Sequence, residues 1–373
     1  MLINGKSGNN TIKMTIAYYI ASPTWGGGEQ YVYNLARTLK TDYHITPVFI
    51  FPADSDSSMV NRFCEVGECP TFHFASKFWR FSRYAGKQLA KLLDQYQVDI
   101  LHLNSRQSYF LGAWAKRNTK KPIRLIVAQH LVRQAKNTYW WRWAYRQIDT
   151  LICTSECVQR EYLCELPLTV FKNVVMVHNS VPMMKKEMPT YTATTPATIF
   201  YHGRICREKG VFELIKSLES LQDLSFRLVL AGSVDKRDEK AWNMALKSSP
   251  IRERITCLGF RTDINQLIPQ FTIGVIPTIV PEAGGPLALL ENMALGLPTI
   301  TSNNGSQPEF IRDRQNGRLC PPGDIVAWSD AIRELLTNLD NASQLAEEAQ
   351  KDFFLEFNYE QFINKMIQIY QSR

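Results

Sequence analysis

The chain has 373 residues, of which 45% are hydrophobic and 21% charged. These values are typical of a folded protein of about two domains and exclude extended disorder. No stretch reaches the roughly 18 uninterrupted apolar residues of a membrane-spanning helix, and the polar N-terminus MLINGKSGNNTIKM does not resemble a signal peptide. We therefore expect a cytoplasmic protein, with a peripheral position on the cytoplasmic face of a membrane as an open alternative.

The net charge of +8 is unevenly distributed, with +10 in residues 1–180 and −2 in residues 181–373. A basic N-terminal half indicates an anionic partner, which the composition alone leaves open as a membrane surface, nucleic acid or a phosphorylated substrate. No nucleic-acid-binding motif accompanies the charge, so we expect no nucleic-acid partner.

Short apolar runs alternate with helical patterns along the chain, as in MTIAYYI, ITPVFIF, VDILHLN and PIRLIVAQH. This alternation predicts an α/β protein whose parallel sheets are covered by helices on both faces. A threonine- and proline-containing segment interrupts the pattern, which restarts at TIFYHGR. We predict an N-terminal domain at 1–182, a linker at 183–197, a C-terminal domain at 198–355 and a final helical segment at 356–373, compatible with packing on either domain.

The first glycine-rich segment, TWGGGEQYVYNLARTL, follows the first predicted strand and begins a helix. Glycines let backbone N–H groups approach an anion that the N-terminus of a helix also favours. A flexible turn is the alternative interpretation. The segment is not G-x-G-x-x-G, which counts against a nicotinamide or flavin enzyme.

The basic and aromatic segment HFASKFWRFSRYAGKQLAKLL contains five residues that could contact a membrane or an acceptor: Lys77, Trp79, Arg80, Arg83 and Lys87. Cations interleaved with aromatic side chains suit an anionic lipid surface. The alternative is that the aromatic side chains belong to the core and the cations are solvated. We favour that alternative for a second cluster, RQAKNTYWWRWAYRQ.

The C-terminal half contains two further loops that could bind phosphate. In HGRICREKGVFELIKSL, Arg204 and Lys209 lie in one strand-to-helix loop and could bind a diphosphate together, unless the loop is simply solvated. In PEAGGPLALLENMALG, a glycine pair precedes a helix predicted from about Leu287 to Leu295. Glu291, one turn into this helix, could accept hydrogen bonds from a ribose diol.

No metal or cofactor is expected. The eight cysteines are scattered, without a C-x-x-C pair, and indicate reduced thiols. The DSD motif at 54–56 resembles a metal-binding D-x-D but lies in a polar loop away from the proposed phosphate-binding cations.

In their order and spacing, GGGEQYVYNLARTL, HGRICREKG, CLGF, PEAGGPLALLENMALGLPTITSNNGSQPEFI and NGRLCPPGD resemble glycosyltransferase family four. The resemblance implies a GT-B fold, in which two Rossmann-like, doubly wound domains face each other across a cleft. It implies a retaining, hexosyltransferase-type enzyme that needs no metal. The nucleotide-sugar donor would lie mainly on the C-terminal domain and a glycan or lipid-linked acceptor on the N-terminal one, in polysaccharide or glycoconjugate biosynthesis.

The resemblance also implies roles for individual residues. Catalytic roles fall to His130, Glu282, Arg204 and Lys209. Donor-binding roles fall to Gly27, Gly28, Gly203, Arg204, Lys209, Gly284, Gly285, Pro286, Leu287 and Glu291. His130, at the end of LIVAQH, would orient a sugar hydroxyl or support positive charge at the anomeric carbon.

One departure from the family affects Glu282. The family pattern is E-x7-E, whereas Glu282 and Glu291 are separated by one residue more. Either a bulge at Gly284 and Gly285 restores the geometry, because glycine tolerates the required dihedrals, or Glu282 is a surface residue and backbone amides alone bind the sugar. Two other functions stay open, a nucleotide-sugar epimerase of the same fold and a non-catalytic nucleotide-sugar-binding protein.

Overall fold

A computed structural model of the chain describes residues 13–22, 25–72, 82–183 and 196–372. Lys77, Trp79 and Arg80, predicted to contact a membrane or an acceptor, lie outside the described residues, as does most of the linker predicted at 183–197.

The N-terminal domain is built on a seven-stranded parallel sheet with strand order β3-β2-β1-β4-β5-β6-β7. Its strands are β1 Thr15–Tyr19, β2 Thr46–Pro52, β3 Thr71–Phe72, β4 Ile100–Leu103, β5 Arg124–Gln129, β6 Thr150–Cys153 and β7 Val174–Met176. Its helices are α1 Gly27–Tyr43, α2 Ser57–Cys64, α3 Arg83–Gln95, α4 Tyr109–Lys116, α5 Tyr139–Tyr145 and α6 Glu156–Leu163. The central strands β4, β5 and β6 are buried over nearly their whole length because separate helix layers cover both faces of the sheet.

The C-terminal domain repeats this plan on a six-stranded parallel sheet of order β10-β9-β8-β11-β12-β13. Its strands are β8 Ala197–His202, β9 Phe226–Ala231, β10 Ile255–Gly259, β11 Ile273–Ile276, β12 Thr299–Ser302 and β13 Arg318–Cys320. Its helices are α7 Val211–Glu219, α8 Glu239–Ser248, α9 Ile264–Leu267, α10 Leu287–Ala294, α11 Ile325–Thr337 and α12 Leu339–Glu356. The predicted fold class, two doubly wound α/β domains, is confirmed.

The last helix, α13 Tyr359–Gln371, lies on the N-terminal domain. Phe357, just before it, still packs in the core under α10 and α12. Phe362 and Met366 belong to the N-terminal core, and the guanidinium of Arg124 donates to the carbonyl oxygens of Ile369 and Tyr370. The chain therefore crosses between the domains a second time after α12.

The DSD motif has a structural role. The carboxylate of Asp56 accepts a hydrogen bond of 3.0 Å from the backbone N–H of Met59 and so caps the N-terminus of α2. Within the described part of the chain, no group of three or more His, Cys, Asp or Glu side chains could hold a metal ion.

The buried imidazole of His102, on β4, should make stability depend on pH. Its Nδ1 lies 2.6 Å from the hydroxyl of Tyr370, and burial, with a smaller effect of His130, lowers the pKa of His102 to about 3. In the unfolded chain this pKa is near 6.5. Below that pH the unfolded state binds a proton that the folded state excludes, so stability is lost as pH falls from about 6.5 towards 3.

Replacing His102 with glutamine, which does not titrate, should reduce this loss. Between pH 7 and pH 5 both proteins should lose stability. We expect the decrease in the free energy of unfolding to be about 2 kcal/mol smaller for His102→Gln than for the wild type. Urea titrations at the two pH values measure the difference. The exposed His44 offers a matched control, since His44→Gln should retain the wild-type pH dependence. An equal loss in His102→Gln and the wild type would contradict the prediction.

Candidate active site

The candidate site lies in the cleft between the domains, where loops from the carboxyl ends of both parallel sheets meet. Ligands bind at this edge of doubly wound sheets because loops and helix N-termini converge there. The loops that follow β1, β4 and β5 come from the N-terminal domain, and those that follow β8, β11 and β12 come from the C-terminal domain. All the residues with predicted catalytic roles lie on these loops.

The N-termini of α1 and α10 come together across the cleft. A β-carbon added to Gly27 would lie 3.9 Å from Cδ1 of Leu287, the first residue of α10, whereas one added to Gly28 would meet nothing within 4 Å. Gly28 therefore borders open space at the start of a 17-residue helix, where partial positive charge favours an anion.

The loop after β8 holds Lys209 in a fixed position. Gly210 follows it with φ +67°, and a β-carbon there would lie 1.9 Å from the carbonyl oxygen of Pro277, so only glycine fits. The carbonyl oxygen of Glu208 accepts hydrogen bonds from the N–H groups of Ile279 and Val280, at 3.0 and 3.3 Å. These contacts join the Lys209 loop to the loop that contains Glu282.

The ammonium of Lys209 forms an ion pair with the carboxylate of Glu282. Burial, and to a lesser extent the guanidinium of Arg204, lower the pKa of Lys209 to about 8, while Cys206 and Glu208 act in the opposite direction. Arg204 is more open: 55% of its side chain is exposed, and Nη1 lies 3.5 Å from Asp235. It follows Gly203, whose φ of +147° turns the chain out of the strand. Two cations are therefore available on one loop.

The two consecutive glycines between Glu282 and Glu291 both have left-handed backbone conformations. Gly284 has φ +72° and Gly285 φ +82°. The carbonyl oxygen of Gly284 accepts from the N–H of Asn179, whereas the N–H of Gly285 donates to Oγ of Ser306. Pro286, which has no N–H to offer, occupies the N-cap position of α10 without a side-chain capping hydrogen bond. The backbone of the pair is thus engaged within the protein, and Glu282 lies in the cleft rather than on the outer surface.

Gly284 and Gly28 give a matched pair of substitutions. A β-carbon on Gly284 would lie 2.6 Å from Asn179 and 2.7 Å from Thr154, at a positive φ, so Gly284→Ala should lower the free energy of unfolding by about 1–3 kcal/mol. Gly28→Ala, in open space on a helix, should leave it unchanged or raise it by up to about 1 kcal/mol. Urea unfolding of both variants tests the difference, and equal stabilities would contradict it.

His130 reaches the same region from the N-terminal domain. Its neighbour Leu131 forms an isolated antiparallel bridge with Glu282 across the cleft. Its Nε2 donates to Oδ1 of Asn104 at 3.1 Å, and its ring lies edge-on to Tyr31, with centroids 4.7 Å apart. Burial lowers the pKa of His130 to about 4. The imidazole is therefore neutral at pH 7, and Nδ1 is free of a proton and able to accept a hydrogen bond.

Glu291 faces a second part of the cleft. Burial raises the pKa of its carboxyl to about 8. Its Oε2 lies 3.5 Å from Nδ1 of His202, whose Nε2 donates to Oδ1 of Asn292. Burial lowers the pKa of His202 to about 4, so this imidazole is neutral at pH 7. A cavity of about 210 Å³ lies beside Glu291, between Trp25 and other residues of the N-terminal domain and the loop after β10.

A second carboxylate, Glu309, joins the domains behind the site. It accepts hydrogen bonds from the N–H groups of Glu156 and Cys157 at the start of α6, at 2.9 and 2.7 Å. Its Oε2 also lies 2.8 Å from Nε2 of His178. Burial opposes ionisation, but these hydrogen bonds hold the pKa of Glu309 below its usual value.

Sequence reasoning did not single out Asn104, His202 or Glu309. His202 ends β8 and Asn104 directly follows β4, at the edge of the sheets where ligands bind. Their positions after apolar runs in the sequence could therefore have identified them as site candidates. Glu309 gave no such signal, because its partners lie more than 130 positions away in the chain.

The predicted membrane-contact residues that the structure describes lie on α3. Arg83 and Lys87 are both exposed, and the Arg83 guanidinium lies over the ring of Trp114.

In the second cluster, RQAKNTYWWRWAYRQ, we expected the aromatic side chains to belong to the core. Tyr139 is 74% and Trp140 57% exposed, so that interpretation is wrong for these two rings. Of the helices that the structure describes, none is both long and apolar enough to cross a bilayer.

Two parallel-sheet domains whose loops meet in a cleft form the GT-B fold, which the chain shares with solved structures. The family model "Glycosyltransferase Family 4" matches residues 25–183, and "Glycosyl transferases group 1" matches residues 185–352. The chain belongs to the group 1, family four glycosyltransferases, as its motifs predicted.

Three comparisons illustrate the relationship. The chain is similar to a solved structure of Anabaena HepE in complex with UDP and glucose, with TM-score 0.81 and 17% identity over 96% of this chain and 100% of that one. It is 24% identical to the phosphatidyl-myo-inositol mannosyltransferase of Mycobacterium leprae over 84% of each chain. It is 26% identical to the glycogen synthase of Mycobacterium tuberculosis over 61% of this chain, and the match spans only 55% of that relative.

Proposed function

We propose that this glycosyltransferase retains anomeric configuration, needs no metal, and moves a sugar from a nucleoside diphosphate sugar to a hydroxyl of a glycan or lipid-linked glycan. One observation carries the donor assignment. The side chains of Arg204 and Lys209 share one loop of a cleft that also receives the N-termini of α1 and α10. Such a convergence of cations and helix N-termini suits a diphosphate.

The donor would extend along the C-terminal side of the cleft. Glu291 would accept from or donate to the ribose diol, with the base in the adjacent cavity of about 210 Å³. The diphosphate would lie between Lys209 and Arg204 on one side and Gly27 and Gly28 on the other. Gly203, Gly284, Gly285, Pro286 and Leu287 would shape the backbone around it. The structurally similar HepE was solved in complex with UDP and glucose, which supports a nucleotide-sugar donor.

Transfer would proceed by attack from the face that the diphosphate leaves. The bond between the anomeric carbon and the phosphate oxygen breaks, the acceptor oxygen bonds to that carbon, and the acceptor proton passes to the departing phosphate. Arg204 and Lys209 would stabilise the growing phosphate charge. His130 would accept a hydrogen bond from a sugar hydroxyl. Glu282, whose carboxylate is engaged by Lys209, would act as a sugar-binding group rather than a nucleophile.

The two cations would replace the charge that a divalent ion supplies in other transferases. We expect turnover in excess chelator to equal turnover with added magnesium or manganese. Loss of activity in chelator, restored by either ion, would reject metal independence.

The acceptor would enter from the N-terminal domain, in cell-surface polysaccharide or glycoconjugate synthesis at the cytoplasmic face of a membrane. The exposed cations of α3 and the exposed rings of α5 support contact with an anionic surface. Flotation with anionic liposomes tests it. Binding should weaken in salt and on neutralising Lys77, Arg80, Arg83 and Lys87, and binding that resists both changes would remove this segment from the proposal.

A panel of nucleotide sugars tests the function itself. Calorimetry should identify a donor that binds, and incubation with acceptor extract should release nucleoside diphosphate faster than incubation without it. Release at the same rate without acceptor would favour an epimerase, and tight binding without any turnover would favour a non-catalytic binding protein.

A further inference from the structure

The ion pair between Lys209 and Glu282 occupies the middle of the proposed donor site. Only 26% of the Lys209 side chain and 16% of the Glu282 side chain are exposed. The second carboxylate oxygen of Glu282, Oε2, is buried and has no hydrogen-bond partner among the described residues. One oxygen thus holds the ammonium while the other is placed to accept a hydrogen bond.

The backbones on both sides of this pair are fixed. The carbonyl oxygen of Glu282 accepts from the N–H of Ser306 at 2.8 Å, and its main chain pairs with Leu131. A β-carbon added to Gly305 would lie 2.3 Å from the same carbonyl oxygen. The Lys209 loop is likewise held by Ile279 and Val280. The Lys209 ammonium can therefore change its ion-pair partner by rotation of the Lys209 and Glu282 side chains alone, without movement of a loop.

The proposed function, on which this inference rests, places the donor diphosphate at Lys209. We propose that the diphosphate and the Glu282 carboxylate compete for the Lys209 ammonium. The arriving diphosphate takes over the ammonium and frees the carboxylate to accept hydrogen bonds from hydroxyls of the donor sugar. After transfer, the carboxylate returns to Lys209 and favours release of the nucleoside diphosphate.

This exchange distinguishes substrate from product. Displacing a largely buried carboxylate costs free energy unless new donors reach it. The hydroxyls of an intact nucleotide sugar supply those donors, whereas a nucleoside diphosphate does not. The exchange therefore weakens product binding more than substrate binding.

Calorimetry tests the competition. The affinities of the wild type for UDP, GDP and ADP are measured first, and the nucleotide that binds most tightly is then used for all variants. Glu282→Gln should bind it about tenfold more tightly than the wild type, because a charge-assisted pair no longer has to be displaced. Lys209→Met should bind it more weakly, and adding Glu282→Gln to Lys209→Met should give no tightening. Glu208→Gln, which removes an exposed charge beside Lys209, is the matched control and should change affinity less than about twofold.

The outcomes separate the inference from the proposed function. If Lys209→Met weakens binding but Glu282→Gln does not tighten it, competition is wrong and the diphosphate site stands. If Glu282→Gln also tightens nucleotide binding when Lys209 is methionine, the tightening reflects repulsion between the Glu282 carboxylate and the diphosphate. That result would also overturn competition for Lys209. If none of the three nucleotides binds the wild type or any variant, the donor assignment itself fails. Thermal unfolding of each variant confirms that it is folded.

Discussion

Replacing Lys209 with methionine is expected to lower kcat/KM for the donor by about 10²–10³. The expected effect is large because the ammonium is largely buried, on a loop fixed by Gly210, and would face the leaving-group charge in the proposed mechanism. Methionine keeps the length and apolar stem of lysine and removes only the charge. Steady-state rates at several donor concentrations measure the loss and divide it between kcat and KM.

Lys216 provides the matched control for this substitution. It lies exposed on α7, the helix that follows the Lys209 loop, and Lys216→Met should retain wild-type rates. Arg204→Met should also lower kcat/KM, but less than Lys209→Met, because its guanidinium is more than half exposed and water screens its charge. Wild-type kcat/KM in Lys209→Met would show that the diphosphate lies elsewhere.

The second large effect is expected at His130. His130→Ala should lower kcat by about 10²-fold, the range for loss of one group that hydrogen-bonds in the transition state. Burial holds its pKa at about 4, so the ring stays neutral above about pH 5 and its protonation should not limit the rate between pH 6 and 8. Donor turnover across that range, for wild type and variant, measures both expectations.

Asn104 allows a sharper test of how His130 works. Its Oδ1 accepts from Nε2 of His130 and thereby leaves Nδ1 as the acceptor. Asn104→Leu should lower kcat more than it raises donor KM, because the imidazole loses its orientation while the diphosphate site is unchanged. His44→Gln replaces an exposed histidine outside the candidate site and should leave the rate unchanged. A rate in His130→Ala that equals the wild type would reject a role for the imidazole in transfer.

The sequence predicted the parts of this protein that depend on neighbouring residues. Alternating apolar strands and amphipathic helices gave the α/β class, and the motif order gave the family. Arg204 and Lys209 could be assigned to one loop because few residues separate them between a strand and a helix. The glycine pair before α10 was predicted to form a bulge beside the extra residue after Glu282, and both glycines have positive φ.

Other features could not be predicted, because they depend on contacts between distant segments. The exposure of Tyr139 and Trp140 is an example: their composition matched that of the buried rings nearby, and only the packing of α5 on α4 decides which rings face water. The assignment of α13 is another. Its apolar spacing fits either domain, and the hydrogen bonds of Arg124 and Tyr370 place it on the first.

By itself, the sequence determined the fold class, the family and the loops that carry the cations and glycines, because local backbone preference and hydrophobic periodicity act over short stretches of chain. Only the tertiary structure decided that Glu282 pairs with Lys209, that Leu131 brings His130 towards Glu282, and that Glu309 joins the domains. Those contacts connect loops of different strands, and sheet order and helix packing, not sequence spacing, set the distances between them.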